Sequence, residues 1–284
     1  FRNFVLSLST NPLFMSKKRI LYISQEITPY LEESEMSLIG RHLPQGIQES
    51  GKEIRTFMPK FGCINERRNQ LHEVIRLSGM NLIIDDNDHP LIIKVASIQP
   101  ARMQVYFIDN EDYFHRKSVL TDKQGKFFED NDERAIFFCR GVLETVKKLG
   151  WSPDLIHCHG WMTSLIPLFL KTSYKDEPLF ENSKVVYSVY DDKFEGSLDS
   201  SFHKKTLMDG MDLKDTEAYA EPSHENLSKA AIQWSDGAIL GSEEMEDLMN
   251  GSNKPFLVHP GEDYIEAYSN FYDEILLNEE VLAD

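Results

Sequence analysis

Cysteine, basic charge and long apolar runs are all scarce in this sequence of 284 residues. The three cysteines, Cys63, Cys139 and Cys158, are an odd number with wide spacing, so they form no disulfide framework and are typical of a reducing cytosol. Lysine and arginine number 30 against 47 acidic residues, and the net charge of −17 repels phosphate backbones and anionic lipid. No apolar run approaches the roughly 18 residues of a membrane span. These absences exclude nucleic acid and membranes as main partners and predict a cytoplasmic protein.

The composition is otherwise that of a globular protein, with 41% hydrophobic residues. The chain opens with Phe1, and residues 1–14 hold a very short apolar stretch with no cleavage signal, whereas Met15 precedes a strand-like run. We expect an N-terminal extension over residues 1–17, one Rossmann-like domain over 18–262, and a C-terminal helix with an acidic tail over 263–284.

Short apolar runs alternate with amphipathic segments along most of the chain, which predicts strands separated by helices. The predicted strands are 19–24, 53–59, 103–109, 154–159, 184–190, 237–242 and 256–260, and the main predicted helices are 35–50, 131–149, 161–171, one capped by Ser223, and 263–277. Residues 71–99 break this alternation and predict a β-hairpin insertion that turns at NDHP, residues 87–90. The expected fold class is α/β, with a single doubly wound, mostly parallel sheet. Residues 191–222 have no clear period and are expected to form a long loop.

A histidine pair ends the fourth main strand, in the run His157-Cys158-His159-Gly160-Trp161. Alternation places His157 and His159 on one face of that strand, at the carboxyl edge where open α/β sheets bind ligands. Three interpretations remain open: a hydrogen-bond donor to a polar ligand, a metal ligand, or a buried histidine bonded within the protein. The metal interpretation is the weakest, because no further ligands stand at recognisable spacing.

The turn after the first strand, residues 27–35, is acidic where a phosphate-binding turn would carry glycine. It has no glycine or lysine between positions 26 and 39, and Glu32, Glu33 and Glu35 stand at the helix start. Acidic groups there favour the helix dipole and repel a pyrophosphate, so a self-capped helix is the favoured interpretation.

Acidic and amide residues also stand at the start of the long predicted helix and at the end of the predicted strand 184–190. Each group has a structural and a functional interpretation. Asp130 and Asn131 open the long helix as caps, or line a crevice beside His159. Tyr190, Asp191 and Asp192 follow a strand, where solvated loop acids are commoner than a cation site.

Several of these segments together resemble the N-terminal catalytic domain of bacterial glycogen synthases and plant starch synthases. The matching segments are RILYISQEITPY (19–30), LPQGIQESGKEIRTFMPKFG (43–62), VYFIDNEDYFHR (105–116), DNDERAIFFCRGVLE (130–144), SPDLIHCHGWMTSLIPLFLK (152–171) and NLSKAAIQWSDGAILGS (226–242). The resemblance implies the N-terminal half of a GT-B glycosyltransferase that extends α-1,4-glucan from ADP-glucose, which is a substrate, so no cofactor and no metal are expected. It also implies that His159 contacts the glucosyl group as the catalytic residue. The implied substrate-binding residues are Asp130, Asn131, His157, Trp161, Tyr190 and Asp191.

The sequence departs from the family pattern at several positions of the implied substrate site. The family's Lys-x-Gly-Gly-Leu turn corresponds to residues 32–36, Glu-Glu-Ser-Glu-Met; its Asp after His-x-His is Gly160; and its His-Asn pair is Tyr190-Asp191. Only about forty residues follow Ser242, so we expect the donor-binding half to lie outside this chain. One hypothesis is an enzyme completed by a separate polypeptide or by self-association. Another is a non-catalytic glucan-binding or regulatory protein that uses aromatic residues, and a third is a structural partner of another protein.

Overall fold

The computed structural model describes residues 17–277 and contains a central sheet of ten strands. The predicted extension over 1–16 and the acidic tail over 278–284 lie outside the described residues. The strands, in chain order, are β1 Arg19–Ser24, β2 Glu53–Pro59, β3 His72–Glu73, β4 Met80–Ile84, β5 Asn87–Ile98, β6 Met103–Asp109, β7 Leu155–His159, β8 Lys184–Val189, β9 Gly237–Leu240 and β10 Phe256–Val258.

Helices connect most of the parallel strands, as the alternating pattern predicts. They are α1 Glu35–Glu49, α2 Glu111–Phe114, α3 Asn131–Leu149, α4 Ile166–Lys171, α5 Phe202–Lys205, α6 His224–Trp234 and α7 Tyr264–Leu277. Ser223 caps α6 through its side chain, and Gly150 ends α3 in the left-handed conformation that glycine accommodates best. No helix in residues 17–277 is both long enough and apolar enough to cross a membrane.

The strand order is β10-β9-β8-β7-β1-β2-β6-β5-β3, with β4 paired to β5. The strands from β10 to β6 are parallel, whereas β5 is antiparallel to β6 and to the short strands β3 and β4. The strand order reverses between β1 and β7. The chain first places β2 and β6 on one side of β1, and later places β7, β8, β9 and β10 on the other side. The carboxyl ends of these two strands therefore form the switch-point crevice where doubly wound sheets bind ligands.

The two faces of the sheet have different coverings. The larger hydrophobic cluster contains buried residues of α3, α4 and α6 together with Leu21 and Ile23 of β1. The smaller cluster contains Ile20 and Tyr22 of β1 together with buried residues of α1 and α7. Because the side chains of β1 alternate between the two clusters, this one strand packs against both helical layers. Helix α7 belongs to the layer that covers β7, the strand of His157 and His159, which we call the histidine strand.

Two local predictions are wrong in their details. The hairpin turns at Asp85 and Asp86, both with positive φ, and NDHP instead begins β5. Residues 161–171 form a short 3-10 turn, Trp161–Thr163, followed by α4, which has Pro167 in its first turn. Proline fits the first turn of a helix because it lacks the N–H that an interior position would use, so the regular helix begins only there.

Residues 191–222 are mostly irregular, as predicted, but they are anchored to the rest of the protein. Phe202 of α5 and Tyr219 are fully buried, and the Tyr219 hydroxyl donates to the Ser164 carbonyl at 2.9 Å. Lys205 also pairs with Asp132 at 2.9 Å and with Glu133 at 2.7 Å, at the start of α3. This segment is therefore a packed part of the domain.

Candidate functional site

A cluster of buried histidine and tyrosine side chains lies behind the switch-point crevice. His157 and His159 project from the same face of β7, as the alternation predicts, with ring centroids 3.8 Å apart. Tyr22 of β1 lies about equally far from both, at 6.0 and 6.1 Å between centroids. All three side chains are at most 1% exposed. The cluster is therefore closed to solvent by the protein itself.

Both ring nitrogens of His157 are bonded within the protein. Nδ1 lies 2.6 Å from the Tyr272 hydroxyl of α7, and Nε2 lies 2.7 Å from Ser188 Oγ of β8. Burial and, secondarily, the neighbouring His159 hold the pKa of this imidazole well below its ordinary value. His157 is thus a neutral buried histidine that holds α7 against the sheet, and neither nitrogen is free for a ligand.

His159 keeps one nitrogen without a partner. Its Nδ1 lies 2.7 Å from the Tyr190 hydroxyl, while its Nε2 is buried and makes no hydrogen bond to residues 17–277. Burial lowers the pKa of His159 to about 3, so the ring is neutral at pH 7. A neutral imidazole with one free nitrogen is able to donate or accept a single hydrogen bond, but a ligand reaches it only after the surrounding side chains move.

Gly160 has a backbone conformation that other residues essentially do not adopt. Its φ of 83° and ψ of 163° lie in a region reserved for glycine. A Cβ there would stand 2.7 Å from Met36 Cε and 3.2 Å from Asp192 Oδ2. The family residue at this position, by the resemblance, is aspartate, so the loop after the histidines has a conformation that an aspartate would strain, and Met36 fills the adjoining space.

The acidic turn after β1 is self-capped, as the sequence analysis favours. Ser34 Oγ accepts from the Ser37 amide at 3.0 Å, and Ser37 Oγ accepts from the Ser34 amide at 2.8 Å, which completes a capping box at the start of α1. The Ser34 hydroxyl also donates to Glu26 at 2.7 Å. The Ser34 and Ser37 amides at this helix start are therefore already bonded to serine side chains.

An open cavity of about 890 Å³ lies in front of this turn, and we call it the crevice cavity. Its walls come from the turn after β1 and from the segment 117–121, with the exposed Cys63 at one side. Glu26, Glu32 and Glu33 contribute carboxylates, and Lys117 is the one cation among the lining residues of this cavity. Burial raises the pKa of Glu26 above its ordinary value. The charged groups of the cavity are therefore mostly carboxylates, which accept hydrogen bonds.

The two predicted residues at the start of α3 bind neighbouring side chains. Asp130 forms a bidentate pair with Arg116, at 2.8 and 2.5 Å. Asn131 is fully buried, donates to the Leu120 carbonyl at 2.9 Å and accepts from Arg134 at 2.5 Å. Both residues fix the 113–121 segment that walls the crevice cavity, and their contact with a substrate stays a prediction.

The remaining predicted residues follow β7 and β8. Trp161 is fully buried, and Phe194 contacts its ring at 5.0 Å between centroids. Tyr190 is 4% exposed, whereas Asp191 is exposed and pairs with Lys193, at 3.4 Å. Tyr190 is thus the predicted residue that the structure brings to His159 by a direct hydrogen bond.

Several residues of the cluster escape the sequence analysis. Tyr272 and Ser188 bond His157. Asp192, which the sequence analysis considers only as a loop acid or as part of a cation site, accepts from the Trp161 amide at 3.3 Å and pairs with His224 at 2.7 Å. A signal for Tyr272 exists in the sequence, since it lies on the apolar stripe of the last helix. No local pattern links it to a strand 115 positions earlier. Within residues 17–277, no group of three or more His, Cys, Asp or Glu is arranged to hold a metal ion.

A family model described as the starch synthase catalytic domain matches residues 19–253 of this chain. The chain belongs to that family. It is 40% identical over 190 residues to the glycogen synthase of Chlorobium luteolum, a match that covers 66% of this chain and 39% of the relative. It is 36% identical over 239 residues to the glycogen synthase of Chlorobium phaeobacteroides, covering 81% and 49%.

A solved structure confirms the fold. The catalytic domain of starch synthase IV from Arabidopsis thaliana, bound to ADP and acarbose, aligns with a TM-score of 0.68 at 19% identity, covering 86% of this chain and 51% of that one. The doubly wound α/β architecture is therefore that of a starch synthase glycosyltransferase domain. This chain spans about half the length, or less, of the relatives and the structure that it matches.

Proposed function

We propose that this glycogen/starch-synthase-type domain binds neutral α-glucan at the crevice cavity and does not by itself transfer glucose from ADP-glucose. The observation that carries the proposal is the acidic, self-capped turn at the switch point, with Glu32 and Glu33 facing the cavity. Sugar hydroxyls donate to carboxylates, whereas the diphosphate of a sugar nucleotide is repelled by them.

Electrostatics argue against transfer by this chain alone. Departure of a nucleoside diphosphate needs preorganised positive charge, and one such group is worth about 3 kcal/mol, or two to three decades in rate. The family's lysine in the turn corresponds, by the resemblance, to Glu32, and Lys117 is the sole cation lining the crevice cavity. A negative group in place of a positive one raises the barrier further.

The burial of His159 supports the same conclusion. A catalytic group has to reach the reacting atoms at hydrogen-bond distance, and His159 is fully buried and bonded through Nδ1 to the Tyr190 hydroxyl. Gly160 also holds a backbone conformation that an aspartate, the residue of the family pattern, could adopt only with strain.

The lining of the crevice cavity supplies hydrogen-bonding groups for a carbohydrate. The crevice cavity offers carboxylates and the hydroxyls of Ser118 and Thr121, with Tyr30 as an aromatic wall. Its volume lies within the roughly 300–1,000 Å³ of small-ligand sites. An uncharged glucan is not repelled by a chain of net charge −17. We also propose that the protein works in the cytoplasm, since its three cysteines are free thiols. We propose no cofactor, because the resemblance makes ADP-glucose a substrate.

Two assays on the purified 284-residue chain test the proposal. In the first, glucosyl transfer from ADP-glucose to glycogen stays at background both for the wild type and for His159→Ala. In the second, the wild type co-sediments with glycogen, and Glu32→Ala/Glu33→Ala lowers the affinity at least about tenfold, because two charge-assisted hydrogen bonds are lost.

The matched control is Glu243→Ala/Glu244→Ala, an adjacent exposed pair on the 3-10 segment after β9. It should retain wild-type affinity for glycogen. Transfer above background that disappears in His159→Ala would overturn the non-transferring proposal. Failure of the wild type to co-sediment with glycogen would overturn the glucan-binding proposal. It would favour the alternative, in which a second polypeptide or self-association completes the site.

A further inference from the structure

The two edges of the central sheet lie far apart and differ in charge. The strand order begins at β10 and ends at β3, and within residues 17–277 each of these strands has one side without a neighbouring strand. Nine strands on this path, spaced about 4.8 Å apart, separate the two edges by roughly 40 Å. Side chains at opposite edges of one molecule are therefore too far apart to contact each other.

The edge at β3 carries unpaired positive charge, although the whole chain has a net charge of −17. Residues 67–77, which contain β3, hold three arginines against one glutamate. Arg67, Arg68 and Arg76 are exposed, and none of them forms an ion pair in the part of the chain that the structure describes. Ile75 is 82% exposed, the highest value among the exposed large apolar residues described. We call this surface, the three arginines with Ile75, the basic edge.

The edge at β10 has the opposite charge. Residues 243–263, which contain β10, hold six acidic residues against one lysine. Four of these acids belong to the 3-10 segment that joins β9 to β10, and all four are exposed. Phe256 of β10 is 43% exposed, and it is the one aromatic residue among the exposed large apolar side chains of residues 17–277. We call this surface the acidic edge; it comprises Phe256 with Glu243, Glu244, Glu246 and Asp247.

The basic edge and the acidic edge are complementary. Guanidinium groups form strong hydrogen bonds with carboxylates, and contact would also remove Ile75 and Phe256 from water. Because the two edges of one molecule cannot meet, the acidic edge of a second copy is the surface that fits the basic edge. Contact between two like edges is opposed by their like charges, so the unlike pairing is the favourable one.

We propose that copies of this chain associate head to tail, with the basic edge of one copy on the acidic edge of the next. A pair formed in this way still has one free basic edge and one free acidic edge, so association continues beyond the dimer. The association is weak, because exposed ion pairs contribute little and the net charge of −17 opposes the approach of two copies. It is independent of the proposed glucan binding, because neither edge lines the crevice cavity.

Analytical ultracentrifugation of the 284-residue chain over a range of protein concentrations tests this proposal. The mean mass of the wild type should rise past that of a dimer as the concentration increases. Arg67→Glu/Arg68→Glu/Arg76→Glu makes both edges negative and should raise the dissociation constant at least about tenfold, because three ion pairs become repulsive contacts. All three positions are exposed, so the fold should tolerate the changes.

A second variant allows a test by complementation. Glu243→Lys/Glu244→Lys/Glu246→Lys makes both edges positive, again at exposed positions, and should weaken association by a similar factor. An equimolar mixture of the two variants should associate again, because each negative edge of one variant then finds a positive edge of the other. Recovery in the mixture also shows that both variants are folded.

The matched control changes the net charge by the same amount at exposed positions away from both edges. This control, Lys123→Glu/Lys175→Glu/Lys214→Glu, should lose much less association than the arginine variant. A wild type that stays monomeric at every concentration would overturn the proposal, and so would a mass that stops at the dimer. A mixture that associates no better than either variant alone would overturn it as well. At the dilute concentrations of the glycogen assay the chain should be monomeric, so failure of either proposal can be recognised separately.

Discussion

At the scale of single residues, Gly160 sets the backbone conformation of the loop that directly follows His159. Its backbone conformation is open to glycine, and the space where a side chain would stand is filled by Met36. The preceding residue, His159, is fully buried, and its Nε2 has no hydrogen-bond partner within residues 17–277. An unpaired buried nitrogen costs about 1–3 kcal/mol, so the surrounding packing must hold it in place.

Gly160→Ala should lower the free energy of unfolding by about 2–4 kcal/mol, because backbone strain and overpacking against Met36 add together. Gly251→Ala is the matched control, since Gly251 has a φ of 85° with open space around it. That change should cost only about 1–2 kcal/mol, from the left-handed backbone alone. Urea denaturation measures both. Equal losses in the two variants would contradict the role assigned to Met36.

The burial of the histidines should make the folded state less stable in acid. The pKa of His159 is lowered to about 3 by burial, whereas an unfolded histidine titrates at about 6.5. Between these values the unfolded chain binds more protons, so this contribution to stability is complete above about pH 6.5 and is lost as the pH falls toward 3. The slope is up to about 1.4 kcal/mol per pH unit for this group.

His159→Asn should therefore flatten the dependence of unfolding free energy on pH, whatever its effect at neutral pH. Urea denaturation at about pH 7, 6 and 5 gives the slope for each variant. His42→Asn, at an exposed position of α1, is the control for the substitution itself. A wild-type slope in His159→Asn would show that other groups carry the acid sensitivity.

At the scale of secondary-structure elements, α7 is the cover of the histidine strand. Tyr268, Phe271, Tyr272 and Ile275 are buried against the face of the sheet that α1 shares. Lys52, after α1, donates to Ser269 at 2.9 Å, and Gly46 of α1 contacts Ile265, where a Cβ would stand 2.7 Å from its Cγ2. The last helix is thus closely docked on the first one.

Tyr272→Phe should destabilise the protein by about 1–3 kcal/mol, because it leaves His157 Nδ1 buried without its partner at 2.6 Å. Tyr264→Phe, on the same helix but only half-buried, should change stability by less than about 0.5 kcal/mol. Thermal or urea unfolding of the two variants supplies the comparison. A loss in Tyr264→Phe as large as that in Tyr272→Phe would contradict the specific role of the hydroxyl.

The sequence predicts most elements because their signals are local. The stripe of Ile136, Cys139, Leu143 and Val146 predicts α3, and each of these residues is fully buried. The hairpin turn is misplaced because Asp85 and Asp86 adopt positive φ without a glycine to mark them. Pro90 suggests a turn, but it pairs with Asn81 inside the hairpin.

The candidate site is only partly predictable, since its partners are distant in sequence. Alternation places His157 and His159 on one face, and the structure confirms it. The hydroxyls that bond them belong to Tyr272, Tyr190 and Ser188, which reach them only through the parallel pairing of β7 with β8 and the docking of α7. Tertiary contacts of this kind leave no periodic signal in one sequence.

At the scale of the whole molecule, the acidic surface separates the two kinds of ligand considered for the crevice cavity. A net charge of −17 opposes an anionic nucleotide sugar and has no such effect on a neutral glucan. The glutamates that line the crevice cavity act in the same direction as the global charge. Binding of glycogen should therefore depend little on ionic strength.

Co-sedimentation with glycogen should be unchanged between about 0.1 and 1 M sodium chloride, although the Debye length falls from about 10 to about 3 Å. Retention of the same sample on an anion-exchange resin, which does depend on charge, shows that the salt series is effective. A steep loss of glycogen binding with salt would indicate ionic recognition and would contradict the neutral-ligand proposal.

The position of α7 also sets the order in which this fold can be completed during synthesis. Tyr22 and Ile20 of β1 emerge from the ribosome early, and their partners in β7 follow about 135 positions later. The same face of the sheet receives α7 only after nearly the whole described chain has been made. Until then α1 is the one helix of this hydrophobic cluster that has been made, so part of the apolar face lacks the cover that α7 provides, and such surfaces are prone to aggregate. We therefore expect a nascent chain that stops before Tyr264 to be a strong client of chaperones, and the 284-residue chain to be a weak one.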